Sequence, residues 1–568
     1  MTASCRNLSL TGCLAGWLLI LCHPLSAAVT STSAAPSDEI RARVEETESG
    51  SGLSVKGATL TSTTVLPALY RQSDFMPVWN NPRSVAQLLR AVRNIDKDGL
   101  NPADYHLAEL EKLQAEIGAG GSPNPAQTAN FDVLLTDSLI RLGYHLLVGK
   151  VDPVELDSNW NLDRTINGRD AVQALSSAIA EGNIQDLLAS VRPQHRYYRH
   201  LQEALARYRA IAADGGWPAV PPGPAMKPGV SDERVVALRR RLAATQEIFA
   251  PETRSSRFDN ELEDAVRQFQ RQHGLVEDGV VGKATLASLN VPVEARIDQI
   301  RVNLERARWV LHDIPREYVL VDIAGFRVSY FRDGQRLWQA RAQVGKPYRK
   351  TPVFRSDITY IEINPTWTVP PTILRNDILP EIKRDIGYLK EKNMRVIDYN
   401  HNVIDPASID WSRYSGPDFP YLIRQDPGPG NALGRIKFMF PNKHLVYLHD
   451  TPSKALFERT NRAFSSGCIR VENPYEFAEL LLDDPRSWDR RSVIAAIDSL
   501  QTRRVTLPQP VTVLLLYWTV APGENAEVLF KQDIYDRDAP VLAGLNSELK
   551  FHPSVFSWAD ETDSGSDR

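Results

Sequence analysis

The sequence predicts a multidomain α+β protein in which two helical units precede a mostly-β domain. Its 568 residues suffice for roughly three to five domains at about 100–200 residues each. Apolar residues recur at helical spacing between residues 66 and 292, whereas from Tyr318 onward they alternate as they do in strands. We therefore expect a helical first half and a β-rich second half.

Composition excludes several classes of protein. The chain has 66 Lys and Arg against 70 Asp and Glu, a formal charge of −4, and 42% hydrophobic residues. Nucleic-acid-binding proteins usually show a basic excess, so we expect no nucleic-acid partner. A disordered chain would lack this much apolar material. Only one apolar run approaches membrane length, which excludes a multipass membrane protein.

That apolar run, Leu8–Leu25, has the features of a secretory signal. It follows Arg6 and precedes the small residues Ser26-Ala27-Ala28, which is the usual order of charged region, apolar region and cleavage site. We interpret residues 1–28 as a signal peptide or, if it is not removed, as a single membrane anchor.

Cysteine usage points to one residue. Cleavage after residue 28 would remove Cys5, Cys13 and Cys22 and leave Cys468 as the single mature thiol. Neither a disulfide framework nor a cysteine-based zinc site is then expected. A lone thiol in an exported protein is either buried as a small apolar side chain or used chemically.

Shifts in composition divide the remaining chain. Residues 29–65 are rich in Ser, Thr, Ala and Glu and are predicted to be a linker. Helical periodicity predicts a helical scaffold domain over residues 66–226, which ends in a Pro/Gly-dense segment. Residues 541–568 are predicted to be a C-terminal tail.

Residues 229–292 form a small helical unit. Apolar positions at helical spacing predict one helix around Val235–Leu242 and a second around Leu262–Phe269. The spelling from Phe269 to Asn290, FQ…GL…DG..G..T...LN, resembles the peptidoglycan-binding module found beside many cell-wall enzymes. The resemblance implies docking to glycan strands, and a spacer that has lost binding is the alternative.

Residues 316–540 are predicted to be the β-rich domain, with a helical insertion at 375–434. Alternating apolar runs predict its strands. They are Tyr318–Ile323, Phe326–Phe331, Leu337–Val344, Ile358–Ile363, Arg435–Phe440, His444–Leu448, Val511–Val520 and Val528–Tyr535.

Two segments of this domain carry residues suited to thiol chemistry, Tyr447–Pro452 and Phe464–Val471. A cysteine nucleophile needs a base or cation beside the sulfur and backbone donors for the oxyanion. A glycine directly before Cys468 allows a tight turn in which successive N–H groups converge. His449 lies 468 − 449 = 19 residues upstream, so the two must meet through strand packing.

These residues resemble the motif of the L,D-transpeptidases, in which a His precedes Ser/Thr-x-Gly-Cys by just under twenty residues and an Arg or His follows. Here His449, Ser465-Ser466-Gly467-Cys468 and Arg470 fill the pattern. Smaller members often have a second His where this chain has Ser466. The large periplasmic subfamily has Ser there and combines a helical scaffold, a peptidoglycan-binding module and a mostly-β catalytic domain with a capping insertion, so the resemblance is closest to that subfamily.

The resemblance implies a role for each candidate residue. Cys468 would be the nucleophile and His449 its base, while the N–H groups of Gly467 and Cys468 would form the oxyanion hole. Arg470 would pair with a substrate carboxylate or, alternatively, brace the loop. The remaining candidates for contact with substrate are Tyr447, which shares strand parity with His449, together with Trp367, Ser466 and Asn431.

The implied reaction is acyl transfer between peptidoglycan stem peptides. Cys468 would cleave a diaminopimelate–D-alanine bond and pass the acyl group to a diaminopimelate amine, giving a link between third residues. Because a thioester conserves the acyl bond, no cofactor or metal is expected. The resemblance also implies acylation of Cys468 by carbapenems, a role in cell-wall biogenesis and cell shape, a Gram-negative periplasmic location, and cell-wall synthesis enzymes as candidate partners.

Other classes of protein fit the sequence less well. A zinc amidase would need an HExxH motif, which is absent, and His444 and His449 have opposite strand parity. A serine penicillin-binding enzyme would need SxxK and KTG, and only Ser547–Lys550 matches the first. An L,D-carboxypeptidase or endopeptidase that uses water, and a non-catalytic wall-binding protein, stay open as alternatives.

Overall fold

The computed structural model describes residues 35–548 except 49–53, 56–57, 120–122, 159, 163–169, 246–253 and 524–526. The predicted fold class is confirmed, since helices dominate up to residue 310 and strands of one large sheet follow. The predicted signal peptide or anchor lies outside the described residues. Among the described helices, none is long and apolar enough to cross a membrane.

The scaffold is helical and is built around the long helix Pro125–Val148. Asn124 starts this helix with a capping box, because its side chain accepts the Gln127 N–H and the Gln127 side chain accepts the Asn124 N–H in return. The other scaffold helices are Val65–Gln72, Pro82–Arg93, Leu107–Ala119, Pro153–Leu156, Ala171–Glu181, Ile184–Ser190 and Arg196–Ala213.

Two segments predicted to be irregular are partly helical. Within the predicted linker, Pro36–Glu48 forms a helix that buries Ile40 and Val44. The predicted C-terminal tail begins inside the helix Asp538–Asn546, which buries Val541 and Leu545. In both helices, two apolar residues four positions apart attach one face of the helix to the core. Two positions are too few to show a clear helical periodicity in the sequence.

The small unit contains the helices Arg234–Ala243, Asn260–Gln272 and Lys283–Leu289, with both predicted apolar stripes buried in a core of their own. A further helix, Val293–Val310, was not predicted. Its apolar side belongs to one continuous core that also includes the scaffold and the large sheet. The scaffold and the β-rich domain are therefore packed into a shared core around this helix.

The large sheet has nine strands among the described residues. They are β1 Glu317–Asp322, β2 Arg327–Arg332, β3 Gln335–Gly345, β4 Phe354–Ile363, β5 Ile436–Met439, β6 Leu448–His449, β7 Ala463–Ser465, β8 Ile469–Val471 and β9 Arg503–Leu516. Their order in the sheet is β7-β3-β8-β6-β5-β4-β9-β1-β2. The pairing of β2 with β3 closes eight of them into a ring.

Three strand predictions were wrong in extent. The strand predicted at His444–Leu448 begins only at Leu448, since Leu445 has a left-handed backbone with φ of 55°. The predicted late strands lie partly outside the sheet, where Val520–Pro522 and Val528–Phe530 form a separate hairpin. The helices Pro474–Leu482 and Arg490–Asp498 follow β8 in the chain.

The insertion predicted at 375–434 begins earlier, at Trp367, and has a core of its own with strands as well as helices. Its short helical segments are Pro371–Ile373, Leu374–Ile378, Leu379–Arg384 and Gly387–Glu391. They accompany a four-stranded antiparallel sheet, which the prediction of a purely helical insertion missed because strands of two to four residues leave little alternation. These strands are Trp367–Thr368, Met394–Ile397, Val403–Ile404 and Leu422–Gln425.

Candidate active site

The two sequence motifs meet through the parallel pairing of β6 with β8. Leu448 is in register with Ile469, and both are fully buried in the core. His449 is in register with Arg470 on the opposite face. Because side chains alternate along a strand, Tyr447 and Cys468 project from the same face as this pair. The pairing thus brings together residues that are 19 positions apart in the chain.

The turn before β8 is held by side-chain hydrogen bonds. The Ser465 hydroxyl donates to the Cys468 carbonyl at 2.5 Å and accepts the Gly467 N–H at 3.1 Å. The buried Thr351 hydroxyl donates to the Gly467 carbonyl at 2.8 Å. Gly467 has φ of +118°, whereas a Cβ atom at this position would be 3.8 Å from its nearest neighbour. Backbone conformation, rather than crowding, therefore requires glycine here.

This arrangement corrects the predicted oxyanion hole. The Gly467 N–H is already bonded to Ser465 and is not directed at a substrate. By contrast, Thr351 fixes the carbonyl of the peptide group that also contains the Cys468 N–H. Beside the sulfur, the Tyr447 hydroxyl forms a hydrogen bond with Cys468. The Cys468 N–H and the Tyr447 hydroxyl are thus the candidate oxyanion donors.

His449 is neutral in this site. Burial, reinforced by the nearby Arg470 cation, lowers the pKa of the His449 imidazole to about 3. Its Nδ1 lies within hydrogen-bond distance of the Asp450 carbonyl, which can only accept. Nδ1 therefore carries the proton, and Nε2 keeps a lone pair that can accept one.

Burial also raises the pKa of the Cys468 thiol, because it penalises the thiolate. Hydrogen bonds from the Tyr447 backbone N–H and hydroxyl and the positive charges of Lys437 and Arg470 oppose that effect. The Sγ atom donates weakly to the Leu445 carbonyl at 3.8 Å. The resting pair is accordingly a thiol and a neutral imidazole, with the means to stabilise a thiolate close by.

Arg470 and Ser466 are both engaged by other residues. Arg470 donates to the Gln343 side chain at 3.2 Å, while its buried Nε has no hydrogen-bond partner within the described part of the chain. The Ser466 hydroxyl accepts a hydrogen bond from Arg349 at 2.8 Å. Arg349 also pairs with Asp377 of the insertion at 2.8 Å, so one side chain connects the insertion to the residue that precedes Gly467.

Trp367 and Asn431 lie in the interior. Trp367 is buried in the core of the insertion. The side chain of Asn431 is 1% exposed, donates to the carbonyls of Pro365 and Asp426, and accepts the Leu433 N–H. Since these bonds occupy both ends of its amide, Asn431 holds the loop after the insertion sheet. Its prediction as a substrate contact is not supported.

Three residues around the site belong to no recognisable sequence motif. Thr351 supports the turn, Arg349 joins the turn to the insertion, and Lys437 lies beside Tyr447. Lys437 stands between the buried Ile436 and Phe438. A charged residue at an outward strand position is usual in a half-buried sheet, so the sequence offers no signal that separates it from an ordinary surface lysine.

Three parts of the chain match known protein families. Residues 64–205 match the "Scaffold domain", and residues 231–289 match the "Putative peptidoglycan binding domain". Residues 316–495, which include the site, match the "L,D-transpeptidase catalytic domain".

Individual relatives cover the chain in part. A protein of Haemophilus influenzae named "Putative L,D-transpeptidase" is 37% identical over 260 residues, which are 45% of this chain and 52% of the relative. The match thus spans about half the length of that relative. Solved L,D-transpeptidase structures from Xylanimonas cellulosilytica and Stackebrandtia nassauensis are 17% and 14% identical, with TM-scores of 0.18 and 0.21. They cover 52% and 53% of this chain and 99% and 96% of their own.

The thiol environment leads to a prediction about pH. Because burial raises the pKa of Cys468, alkylation by iodoacetamide should be slow at pH 7 and rise through the alkaline range. Tyr447→Phe removes a hydrogen-bond donor to the thiolate. We therefore expect the pH at which alkylation reaches half of its maximal rate, the midpoint, to rise further, by about half to one pH unit. Peptide mass spectrometry of the Cys468 peptide measures the rate at each pH.

The control is Tyr348→Phe, which removes the hydroxyl of a tyrosine that is 73% exposed. It should leave the midpoint at the wild-type value. Equal midpoints for Tyr447→Phe and the wild type would contradict the assigned hydrogen bond.

Proposed function

We propose that the chain is a cysteine acyltransferase of peptidoglycan, because residues 316–495 match the "L,D-transpeptidase catalytic domain" and residues 231–289 match the "Putative peptidoglycan binding domain", the two families that the motifs predicted. The observation that supports the proposal is the pairing of β6 with β8, in which His449 is in register with Arg470, so that His449, Tyr447 and Cys468 share one face of the sheet, with His449 neutral and the Tyr447 hydroxyl bonded to Cys468. A thiol, a base and oxyanion donors on one face are the requirements of thioester chemistry.

The first half-reaction forms a thioester. His449 Nε2 takes the Sγ proton as Cys468 attacks the carbonyl between diaminopimelate and D-alanine in a tetrapeptide donor stem. The negative charge on the carbonyl oxygen is received by the Cys468 N–H and the Tyr447 hydroxyl. The imidazolium then gives its proton to the D-alanine amine, which leaves.

The second half-reaction transfers the acyl group. The side-chain amine of a second diaminopimelate attacks the thioester, and His449 accepts the amine proton. Collapse of the tetrahedral intermediate expels the Cys468 thiolate, which recovers its proton from His449. The product is a cross-link between third residues, and the acyl energy comes from the bond first broken, so these steps require no nucleotide or metal.

The insertion supports transfer to an amine over transfer to water. Water is present at roughly 55 M, so an amine competes only if it is held in line and the cleft is shielded; such positioning can be worth effective molarities of about 10⁵ M or more. The insertion has its own core and is joined to the residue next to Gly467 by Arg349, which bonds both Ser466 and Asp377. A glycan-docking module would also keep acceptor strands close.

Location and partners follow from the same proposal. The substrate would be peptidoglycan, which lies outside the cytoplasm, and the diaminopimelate chemistry corresponds to a Gram-negative periplasm. Carbapenem acylation of Cys468 and association with cell-wall synthesis enzymes, both implied by the resemblance, belong to the proposal as well. The second candidate function is L,D-carboxypeptidase activity, in which water enters the same thioester; the partly exposed Cys468 is compatible with it.

Replacing the nucleophile or its base tests the assignment of roles. Cys468→Ala should abolish turnover of a tetrapeptide stem, and His449→Ala should nearly do so, since such losses typically cost on the order of 10⁴–10⁶ in rate. His444→Ala is the matched control, because that imidazole packs beside Phe354 with ring centroids 5.2 Å apart and forms no part of the site. Turnover near the wild-type rate in Cys468→Ala would reject the cysteine mechanism.

The products distinguish transfer from hydrolysis. Incubation of the full chain with purified disaccharide-tetrapeptide should give dimers joined through two third residues, resolved by liquid chromatography and mass spectrometry. Dimer yield relative to tripeptide should rise with acceptor concentration, because amine and water compete for one thioester. Tripeptide monomers alone at every acceptor concentration would instead identify an L,D-carboxypeptidase.

A further inference from the structure

Lys437 occupies a confined position in the site that neither the motifs nor the proposed roles include. It lies on β5, in register with His449 on one side and with Glu362 of β4 on the other. Its Nζ is 4.0 Å from the centroid of the Tyr447 ring and 3.8 Å from the Glu362 carboxylate. Only 13% of the side chain is exposed. A lysine held on three sides has little of the freedom of a surface lysine.

Lys437 belongs to a row of five side chains that runs across neighbouring strands at the site. Successive strand pairings place Gln343, Arg470, His449, Lys437 and Glu362 side by side on β3, β8, β6, β5 and β4. Two of these residues are cations and one is an anion, while His449 is neutral. Among the described residues, Lys437, Arg470 and Tyr447 act on the thiol, His449 lies on the same face, and Glu362 lies beyond Lys437.

A thiolate in this site needs a positive charge from somewhere other than histidine. In many cysteine enzymes an imidazolium provides it, but the burial of His449 disfavours that form. Arg470 is one source, and its guanidinium is partly used by Gln343. Lys437 is the other, and it contacts the face of the tyrosine whose hydroxyl bonds to Cys468.

We propose that Lys437 is a positioning residue for the nucleophile: its ammonium, packed on the Tyr447 ring, holds that ring against Cys468 and supplies the fixed positive charge that stabilises the thiolate. Glu362 moderates that charge. Burial lowers the pKa of Lys437, and the charges of Glu362 and Cys468 oppose that shift. The Lys437 charge in turn acts to lower the pKa of the Cys468 thiol. The proposal rests on the proposed function in that Cys468 is taken to be the nucleophile.

The test is the pH dependence of Cys468 alkylation in the full chain, with iodoacetamide as the probe. In this reaction Sγ loses its proton to solvent and displaces iodide, and no peptidoglycan is involved. Lys437→Met should raise the midpoint by about one unit, which is roughly tenfold slower alkylation at a pH below both midpoints. Lys437→Arg should have a midpoint close to the wild-type value, because arginine keeps the positive charge.

Glu362→Gln should shift the midpoint of Cys468 alkylation in the opposite direction. Removing the anion strengthens the effective charge of Lys437, so the midpoint should fall. A merely structural role for Lys437 would not produce opposite shifts in the two variants. An unchanged midpoint in folded Lys437→Met, verified by circular dichroism, would overturn the proposal. If that variant does not fold, Glu362→Gln decides alone: a lower midpoint supports the proposal, and an unchanged or higher one overturns it.

Failure of the proposed function would look different. A wild-type enzyme without turnover on tetrapeptide stems, but with opposite midpoint shifts in the two variants, would reject the acyltransferase proposal and leave the role of Lys437 in place. Normal turnover on tetrapeptide stems with unchanged midpoints in both variants would support the acyltransferase proposal and reject the role of Lys437.

Discussion

The site depends on the parallel pairing of two very short strands, β6 and β8. Only two residues of each are in register, and one further bond, from the Ile469 N–H to the Tyr447 carbonyl at 3.1 Å, extends the contact toward Cys468. Side chains alternate between the two faces, so a shift of one residue would turn His449 or Cys468 into the core. The fully buried Leu448 and Ile469 oppose such a shift, because it would expose them in exchange.

Longer-range contacts keep this small contact in place. The closed ring of strands fixes β8 against β3, and Thr351, between β3 and β4, supports the turn that precedes β8. The Tyr535 hydroxyl donates to the Gly345 carbonyl at 2.6 Å and accepts the Thr351 N–H at 3.2 Å. The segment after the hairpin thus braces the loop that holds the turn before β8, although it lies far from that turn in sequence.

Burial in this site works against the ion pair that a cysteine and a histidine could form. It favours the uncharged form of both groups, so the imidazole keeps a free lone pair at neutral pH but is a weaker base than free imidazole. The same burial raises the pKa of the Cys468 thiol. The surrounding donors and cations, among them Tyr447, Lys437 and Arg470, oppose that shift locally. An exchange of a proton between neutral partners, followed by stabilisation of the thiolate, is consistent with this balance.

Sequence could predict those parts of the site that are local. Strand parity related Tyr447 to His449, whose rings lie 5.8 Å apart, and the glycine before Cys468 indicated the turn. Bonds between distant segments could not be predicted. The Ser465 hydroxyl takes up the Gly467 N–H, and Thr351 and Lys437 reach the site from segments that no motif joins to it. Asn431 was misassigned because its burial depends on how the insertion folds back.

The central claim is that Cys468 carries the acyl group, and trapping that intermediate tests it most directly. The enzyme would be mixed briefly with a tetrapeptide donor in the absence of an acceptor, quenched in acid and digested for peptide mass spectrometry. The account predicts an adduct equal to the donor minus D-alanine on the Cys468 peptide, and its loss on treatment with hydroxylamine, which cleaves thioesters. D-alanine release without any adduct on Cys468, or an adduct on another residue, would contradict it.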